Sequence, residues 1–427
     1  MRKILVLIHI LFLFIGATLS AGTTRNMSFQ HIDGETGLSQ SNVKAILQDS
    51  YGFMWFGTKN GLNRFDGQRV VQFNCYDPER RHGNQNVSAL FEDRDHILWI
   101  GTDEGAFCYN PEKDSFKFID TKTTEGEQIN TWISTIFQDP QGNIWICAPS
   151  QGVFRYDNEG RLQRIGGYDG HTAPHHACIT PRGEIYAVSW YAAGLFRFDP
   201  AKNSFSLIRE DAAGKPLTGL EINTLCPQGD ALIMSRQNGN LMKFNTRTQR
   251  LEDIPGAPDL THTLTRFATV YGQDILAGTY DGFYVIHGKE GRTEHFVHNP
   301  ADPASLSDNI VYSAYRDREG GLWVGTMYGG VDFLTQNDFT FKKYLSGQSA
   351  NSLSSSRIRE LAEDQNGNLW IGTEDAGINS LSTATQAISR LSLPPTDGNA
   401  DITVAINSFN GKTYCNLHKK GMVIIDE

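Results

Sequence analysis

Long apolar runs are almost absent from this 427-residue chain, because residues 4–15 form its one extended hydrophobic stretch. Met1, Arg2 and Lys3 place positive charge before that stretch, and small residues from Ala17 to Ala21 follow it. This order predicts a secretory signal peptide over residues 1–21. The alternative is an uncleaved anchor, but the stretch is shorter than the roughly twenty residues that a bilayer requires. We therefore expect an exported mature chain without a membrane span.

Positive charge and closely spaced cysteines are also scarce. The chain has 38 Lys and Arg against 48 Asp and Glu, a net charge of -10, which disfavours nucleic acid as a partner. None of the six cysteines forms a C-x-x-C or Cys/His pair with metal spacing. The run from His171 to His176 invites a zinc site, yet it lacks the spacing and supporting carboxylates of one. We expect no metal and no cofactor.

The chain does contain a motif that repeats along most of its length. Its first copy, Asn42 to Asp66, reads as a strand, a turn at Asp49 and Gly52, an apolar strand Met54 to Thr58, a reversal at Gly61 and a third strand. Positions equivalent to Trp55 recur at Trp99, Trp145, Tyr186, Ile233, Leu276, Trp323, Trp370 and Cys415, with successive spacings of 44, 46, 41, 47, 43, 47, 47 and 45. That period matches a four-stranded β-propeller blade.

Fourth strands and ring closure follow from shorter segments. Ser115 to Ile119, Ser204 to Ile208 and Thr293 to Val297 alternate as outer strands do. Met27 to Ile32 resembles an orphan fourth strand that would complete the seventh blade and remove the sheet edge. A similar segment, Phe339 to Tyr344, precedes the eighth repeat. The prediction is an all-β chain: a seven-bladed β-propeller of four-stranded blades over residues 27–335, then the first two blades of a second, incomplete propeller over 338–427. The alternative is a single ring of eight or nine blades.

At this point the residues resemble a known family. The series Asn42, Asp49, Gly52, Trp55-Phe56-Gly57-Thr58, Gly61-Leu62 and Phe65-Asp66 is similar to the two-component regulator propeller repeat. That repeat builds the periplasmic sensor half of hybrid two-component systems in gut Bacteroides and relatives. The resemblance implies a periplasmic signal-transduction protein that senses carbohydrate, with an oligosaccharide as ligand. In the family, two propellers and a β-sandwich precede a transmembrane helix, a histidine kinase, a receiver and often a DNA-binding domain.

This sequence departs from the family by stopping inside the second propeller, so we expect a fragment, a truncated gene product or a stand-alone relative. Kinase activity would lie in C-terminal domains that the chain lacks, and we predict that it is not an enzyme. One alternative is a propeller lyase or glycoside hydrolase, with His176 and Asp281 as acid–base candidates. Another is a protein-interaction scaffold, and a homodimer could form through the propeller sides.

Two of the seven tryptophans point to a ligand site. Five occupy the repeat position and are expected in the blade core, whereas Trp132 and Trp190 fall in loops on one face of the propeller. Aromatic rings stack on the apolar faces of sugars while polar groups take their hydroxyls. The predicted ligand-binding residues on that face are Trp132, His175, His176, Trp190, Tyr191, Arg236, Tyr280, Asp281 and Tyr328, near Gln237 and His262. The alternative is that they are ordinary loop residues of an aromatic-rich propeller.

Overall fold

The computed structural model describes residues 28–119, 122–123, 125–168, 172–190, 194–237, 239–334, 344–391 and 402–426. Within these ranges the regular structure is β strand, and no helix is present that is long and apolar enough to cross a membrane. Seven four-stranded antiparallel sheets, here called blades 1 to 7, are built from the N-terminal part. The all-β propeller predicted from the repeat is confirmed.

The strands of each blade follow one another in the chain. Blade 1 consists of Val43–Gln48, Met54–Thr58, Gly61–Phe65 and Val70–Phe73. Blade 2 consists of Val87–Glu92, Leu98–Thr102, Gly105–Asn110 and Ser115–Phe118. Blade 3 consists of Thr135–Gln138, Ile144–Ala148, Gly152–Tyr156 and Leu162–Ile165. A small hairpin, Tyr76–Asp77 with His82–Gly83, lies between the first two blades. Blade 4 consists of His176–Ile179, Ile185–Val188, Leu195–Asp199 and Ser204–Ile208. Blade 5 consists of Ile222–Gln228, Ala231–Arg236, Met242–Asn245 and Arg250–Glu252. Blade 6 consists of Thr265–Tyr271, Asp274–Thr279, Phe283–His287 and Arg292–Phe296.

Blade 7 joins the two ends of the ring. Its strands are Val311–Arg316, Leu322–Thr326 and Val331–Leu334, and its fourth strand is Gln30–Ile32 from the start of the described chain. That strand pairs antiparallel with Val331–Leu334, setting His31 opposite Asp332. The first strand of each blade contacts the first strand of the next, and that of blade 7 contacts that of blade 1. The seven blades therefore close into a ring with their first strands around the axis.

The repeated Asp and Trp hold the first hairpin of a blade together. In blade 1, the Asp49 carboxylate accepts the backbone N–H of Phe53 at 2.9 Å and the indole N–H of Trp55 at 2.6 Å. The same indole-to-carboxylate bond joins Trp99 to Asp93, Trp145 to Asp139, Trp323 to Asp317 and Trp370 to Asp364. Because a buried polar group must be paired, these carboxylates explain why each core tryptophan keeps its indole N–H satisfied.

A Gly-Thr pair follows four of the five repeat tryptophans, and its two residues have separate roles. A Cβ on Gly57 would lie 2.6 Å from the Val87 side chain of blade 2, so glycine at this position allows neighbouring blades to pack closely. The Thr58 hydroxyl donates to the carbonyl of Gly61 at 2.9 Å and ties the second reversal. The motif thus encodes the geometry of the blade.

Two further sheets follow the ring. Ile358–Glu363, Leu369–Thr373, Ile378–Leu381 and Ile388–Arg390 form a four-stranded sheet, and Thr403–Phe409, Lys412–Leu417 and Gly421–Asp426 form a three-stranded one. They pack on each other through a cluster that contains Ile378, Ile406 and Cys415. Most of the segment Phe339 to Tyr344 and the predicted boundaries at 335 and 338 lie outside the described residues. That these sheets begin a second propeller stays a prediction.

Candidate functional site

Each blade places one residue from the start of its first strand near the axis, and in five of the seven blades this residue lies in a β-bulge. In blade 1 the pairing passes from Val43 directly to Ala45, so Lys44 is the extra residue of a β-bulge. Bulges re-aim side chains and are frequent beside functional sites. Equivalent bulges place Ser88, Asn223, Arg266 and Tyr312 in blades 2, 5, 6 and 7.

Blades 3 and 4 supply the equivalent residues without a formal bulge. Ser134 donates its backbone N–H to Cys147, which also pairs with the next residue along the strand, Thr135. His175 stands in the same relation to Val188. We call the seven residues the axial ring: Lys44, Ser88, Ser134, His175, Asn223, Arg266 and Tyr312.

The axial ring surrounds a cavity of about 810 Å³ that is lined by first-strand residues of all seven blades. Deeper in the cavity the wall becomes apolar, with Ile46, Leu90 and Leu225 among its lining residues. Trp132 and Trp190 complete the rim from loops of blades 3 and 4. A mostly apolar cavity with a few convergent polar groups is the usual form of a small-ligand site.

Trp132, Trp190 and His175 form a stack that we call the aromatic ledge. The ring centroids of Trp132 and Trp190 are 6.2 Å apart with an interplanar angle of 28°, and those of His175 and Trp190 are 4.3 Å apart at 17°. Both tryptophans remain exposed, at 38% and 36%. Trp55, Trp99, Trp145 and Trp323 are buried in blades and Trp370 is half-buried in the sheet after the ring, so this pair is the one whose rings are exposed to a ligand.

Asn223 connects the aromatic ledge to the blades beyond it. Its backbone carbonyl accepts the Nε2–H of His175 at 2.7 Å, and its side-chain oxygen faces the indole N–H of Trp190 at 3.4 Å. Its amide donates to the carbonyls of Thr265 and Arg266 in blade 6. The ledge is therefore oriented by hydrogen bonds across three blades.

Arg266 and Tyr312 line the opposite part of the rim. The Arg266 guanidinium lies 4.6 Å from the ring centroid of Tyr312 and 5.7 Å from that of Tyr280. Stacking of this kind holds the plane of a guanidinium while leaving its N–H edge available. The Tyr312 hydroxyl itself faces the sulfur of Met327 at 3.4 Å.

Lys44 is the second cation of the axial ring. Its ammonium donates to Asn86 Oδ1 at 2.7 Å, and the Asn86 amide donates in turn to the carboxylate of Asp103. Burial lowers the pKa of Lys44, and the positive charges of Lys59 and Arg266 act in the same direction, against the opposing charge of Asp103. Lys44 and Arg266 are therefore close enough to influence each other electrostatically.

The two adjacent histidines of blade 4 are neutral at physiological pH. Burial lowers the pKa of His175 to about 4, and burial together with the charge of His175 lowers that of His176 to about 3. The Nε2–H of His175 goes to a carbonyl, which leaves Nδ1 as an acceptor, and that atom is buried without a partner. His176 Nδ1 lies 3.3 Å from the backbone N–H of Leu225.

The structure brings four of the predicted ligand residues together and sets others apart. Trp132, His175, His176 and Trp190 line the axial cavity. Tyr280 and Asp281 line a separate depression with His262, whose Nε2 lies 3.3 Å from Asp281. Tyr328, 68% exposed, borders a third depression. Arg236 ends the second strand of blade 5 with its guanidinium over Gly239, and Tyr191 lies outside the described residues.

Lys44, Ser88, Ser134, Asn223, Arg266 and Tyr312 are axial-ring residues that the sequence prediction missed. A signal exists, because residues 44, 88, 134, 175 and 312 each precede the repeat aromatic at 55, 99, 145, 186 and 323 by eleven positions. Among the described residues no group of three His, Cys, Asp or Glu side chains gathers as a metal site, and all six cysteines are free thiols. The polar groups that line the cavity are aromatic, amide, hydroxyl, imidazole and cationic side chains and one carboxylate.

Ring closure and the axial cavity define the protein as a β-propeller with a central cavity. Five of its segments, residues 37–60, 82–104, 127–149, 305–328 and 352–375, match the two-component regulator propeller family. These are therefore two-component regulator propeller repeats, as the sequence motif predicts.

Several solved structures have a fold similar to that of this chain. The extracellular domain assigned to a hybrid two-component system of B. thetaiotaomicron superposes with a TM-score of 0.64 at 20% identity, covering 94% of this chain and 53% of that one. A second such domain from the same organism gives 0.60 at 21% identity, with 94% and 58% covered. Virginiamycin B lyase from Staphylococcus aureus, solved with quinupristin, gives 0.55 at 13% identity, with 73% and 100% covered. At these identities the likeness shows the propeller fold alone.

Histidine kinase P4 from Formosa agariphila is 46% identical over 67 residues, which are 16% of this chain and 5% of that protein. The chain thus spans just over half of the two B. thetaiotaomicron domains and a small part of the kinase.

Proposed function

We propose that the chain is the ligand-sensing propeller region of a hybrid two-component signalling system, and that its axial cavity binds an oligosaccharide derived from a glycan. The observation that carries the proposal is the exposed Trp132–Trp190 pair at the rim of a cavity to which every blade contributes. Exposed aromatic faces next to amide and hydroxyl groups suit the apolar face and the hydroxyls of a pyranose. The family of the repeats and the extracellular domains of similar fold support a sensor rather than an enzyme.

A ligand in this cavity is well placed to act on the whole ring. It would contact first strands from several blades at once, including those of blades 1 and 7 that close the ring. A ligand shifts a conformational equilibrium only by its difference in affinity for the two states. We therefore propose that binding favours one arrangement of the blades and that this bias is the signal.

The proposal places the sensor in the periplasm after cleavage of the signal peptide over residues 1–21, which lie outside the described residues. A homodimer through the propeller sides is part of the same proposal. Phosphotransfer would then belong to domains other than the propeller.

The proposal is tested by a thermal-shift screen of residues 22–427 against oligosaccharides from plant and host glycans. A ligand present at one hundred times its Kd stabilises the folded state by about 2.7 kcal/mol, which is a measurable shift. Trp190→Ala should abolish the shift because it removes the centre of the aromatic ledge. The matched control is Tyr51→Ala, since Tyr51 is 57% exposed in the hairpin turn at the other end of blade 1.

A shift for one sugar class that is lost in Trp190→Ala and kept in Tyr51→Ala supports the sensor site. A shift that survives in Trp190→Ala places the sugar elsewhere, and the absence of any shift across the panel overturns the proposal. Mass analysis of the bound sugar after incubation distinguishes sensing from hydrolysis or elimination. His176 and Asp281 line different cavities, so they do not form an acid–base pair as placed.

A further inference from the structure

Cations outnumber carboxylates in the lining of the axial cavity, whereas carboxylates outnumber cations in the chain as a whole. The chain carries a net charge of -10, yet the charged residues that line the cavity are Lys44, Arg266 and one carboxylate, Asp103. The neighbouring histidines add no charge at neutral pH, because burial holds the pKa of each far below 7. The cavity lining therefore has one more cation than it has carboxylates, whereas the chain as a whole has an excess of carboxylates.

The one carboxylate of the cavity is already engaged. The Asp103 carboxylate accepts a hydrogen bond from the side-chain amide of Asn86, and the side-chain oxygen of Asn86 accepts one from the Lys44 ammonium. Asp308 does not line the cavity but lies near Tyr312, and its carboxylate accepts the backbone N–H groups of Tyr328 and Ile310. In the described part of the chain no carboxylate forms an ion pair with Arg266.

Arg266 is also held in a defined orientation. The bulge directs it to the axis, and Tyr312 and Tyr280 support its guanidinium from the side. An arginine restrained in this way presents N–H groups in the planar fork that matches an oxyanion such as a carboxylate or a sulfate. Positive charge in a cleft with low-dielectric walls also raises the local concentration of anionic ligands.

We propose that the axial site selects an acidic oligosaccharide, with a sugar ring on the aromatic ledge and a carboxylate or sulfate ester against Arg266 and Lys44. This inference rests on the proposed function and adds the chemical class of the sugar. Uronic acids carry a carboxylate and sulfated sugars carry a sulfate ester, and both groups are oxyanions. The experiment below distinguishes the two kinds of sugar.

The test is isothermal titration of residues 22–427 with matched pairs of oligosaccharides. One pair is an oligogalacturonide and its fully methyl-esterified form, and the other is a sulfated oligosaccharide that contains no uronic acid and its desulfated form. We expect at least one acidic member to bind at least tenfold more tightly than its neutral counterpart, which corresponds to about 1.4 kcal/mol. Preference for the carboxylated member identifies a uronic acid, and preference for the sulfated one identifies a sulfate ester.

Variants assign the preference to the cavity. Arg266→Gln should weaken the acidic sugar about tenfold and leave the neutral one unchanged, and Lys44→Met should act in the same direction. The control is Arg69→Gln, an exposed arginine between the third and fourth strands of blade 1. Equal affinity for acidic and neutral sugars, insensitive to Arg266→Gln, overturns this inference while the proposed sugar sensor stands. Failure of every sugar to bind the folded protein overturns both.

Discussion

The junction that closes the ring contains a histidine whose charge should affect stability. His31 lies in the strand Gln30–Ile32, and its Nδ1 is 2.6 Å from Oδ1 of the fully buried Asp332 while its Nε2 is 2.8 Å from the carbonyl of Pro303. A carboxylate and a carbonyl can only accept a hydrogen bond, so the protonated ring, in which both nitrogens donate, satisfies both partners. The hydrogen bond to Asp332 accordingly raises the pKa of His31 above 6.5, against the opposing effect of burial.

The magnitude follows from the geometry. A hydrogen bond to a charged group contributes about 1.5–3 kcal/mol, and His31 is 29% exposed, so water replaces part of the loss. We expect His31→Ala to reduce the free energy of unfolding by about 1.5 kcal/mol at pH 5.5, near the low end for such bonds. The folded-state pKa is raised, so this contribution is complete below pH 6.5 and is lost as the pH rises through the folded-state pKa.

The assay is guanidinium unfolding of wild type and His31→Ala at pH 5.5 and at pH 9. The difference between the two proteins should be larger at pH 5.5 than at pH 9. The second substitution is Asp332→Asn, because blade 1 has an asparagine, Asn63, at the equivalent position. Asn63 accepts the backbone N–H of Ser39, just as Asp332 accepts the backbone N–H of Ser307. In that background His31→Ala should cost less than about 0.5 kcal/mol, because coupled residues are not additive. Equal costs at both pH values, or additive effects of the two substitutions, would refute the reasoning.

Three further predictions concern the blades. Trp145→Phe removes the 2.8 Å bond to Asp139 and should lower the free energy of unfolding by about 2–3 kcal/mol in a denaturant titration, whereas Trp190→Phe should not. Gly57→Ala brings a Cβ to 2.6 Å from Val87 and should cost about 1–3 kcal/mol, whereas Gly166→Ala, with nothing within 4 Å, should be close to neutral in the same titration. The pKa of buried His175 is lowered to about 4, so the folded state resists protonation that the unfolded state accepts below pH 6.5. Between pH 6.5 and pH 4 the free energy of unfolding of wild type should therefore fall by about 3 kcal/mol more than that of His175→Gln.

The scaffold was readable from the sequence because its signals are local and repeated. The buried tryptophans, the closing strand and the outer strands of blades 2, 4 and 6 lie where spacing and alternation place them. The Trp132–Trp190 pair was also found, since an aromatic outside the repeat position has no place in a blade core.

The axial ring was missed because its orientation depends on backbone irregularity. A bulge interrupts the alternation on which face assignment relies, so Lys44 and Arg266 read as ordinary strand residues. Loops of successive blades also diverge from the axis, so Tyr280 and Tyr328 border depressions of their own although they belong to the predicted face. The axial position is Lys, Ser, Ser, His, Asn, Arg and Tyr in the seven blades, so it carries no repeating sequence signal.

The most direct test of the axial site uses Trp132 and Trp190, the two exposed tryptophans of the chain. Acrylamide quenching of tryptophan emission is measured with and without the sugar that gives a thermal shift, in wild type and in the double variant Trp132→Phe, Trp190→Phe. The account predicts that the sugar protects wild-type emission from acrylamide and has no such effect in the double variant, whose remaining tryptophans belong to the blades. Saturating sugar that leaves the quenching of wild type unchanged would contradict an axial binding site.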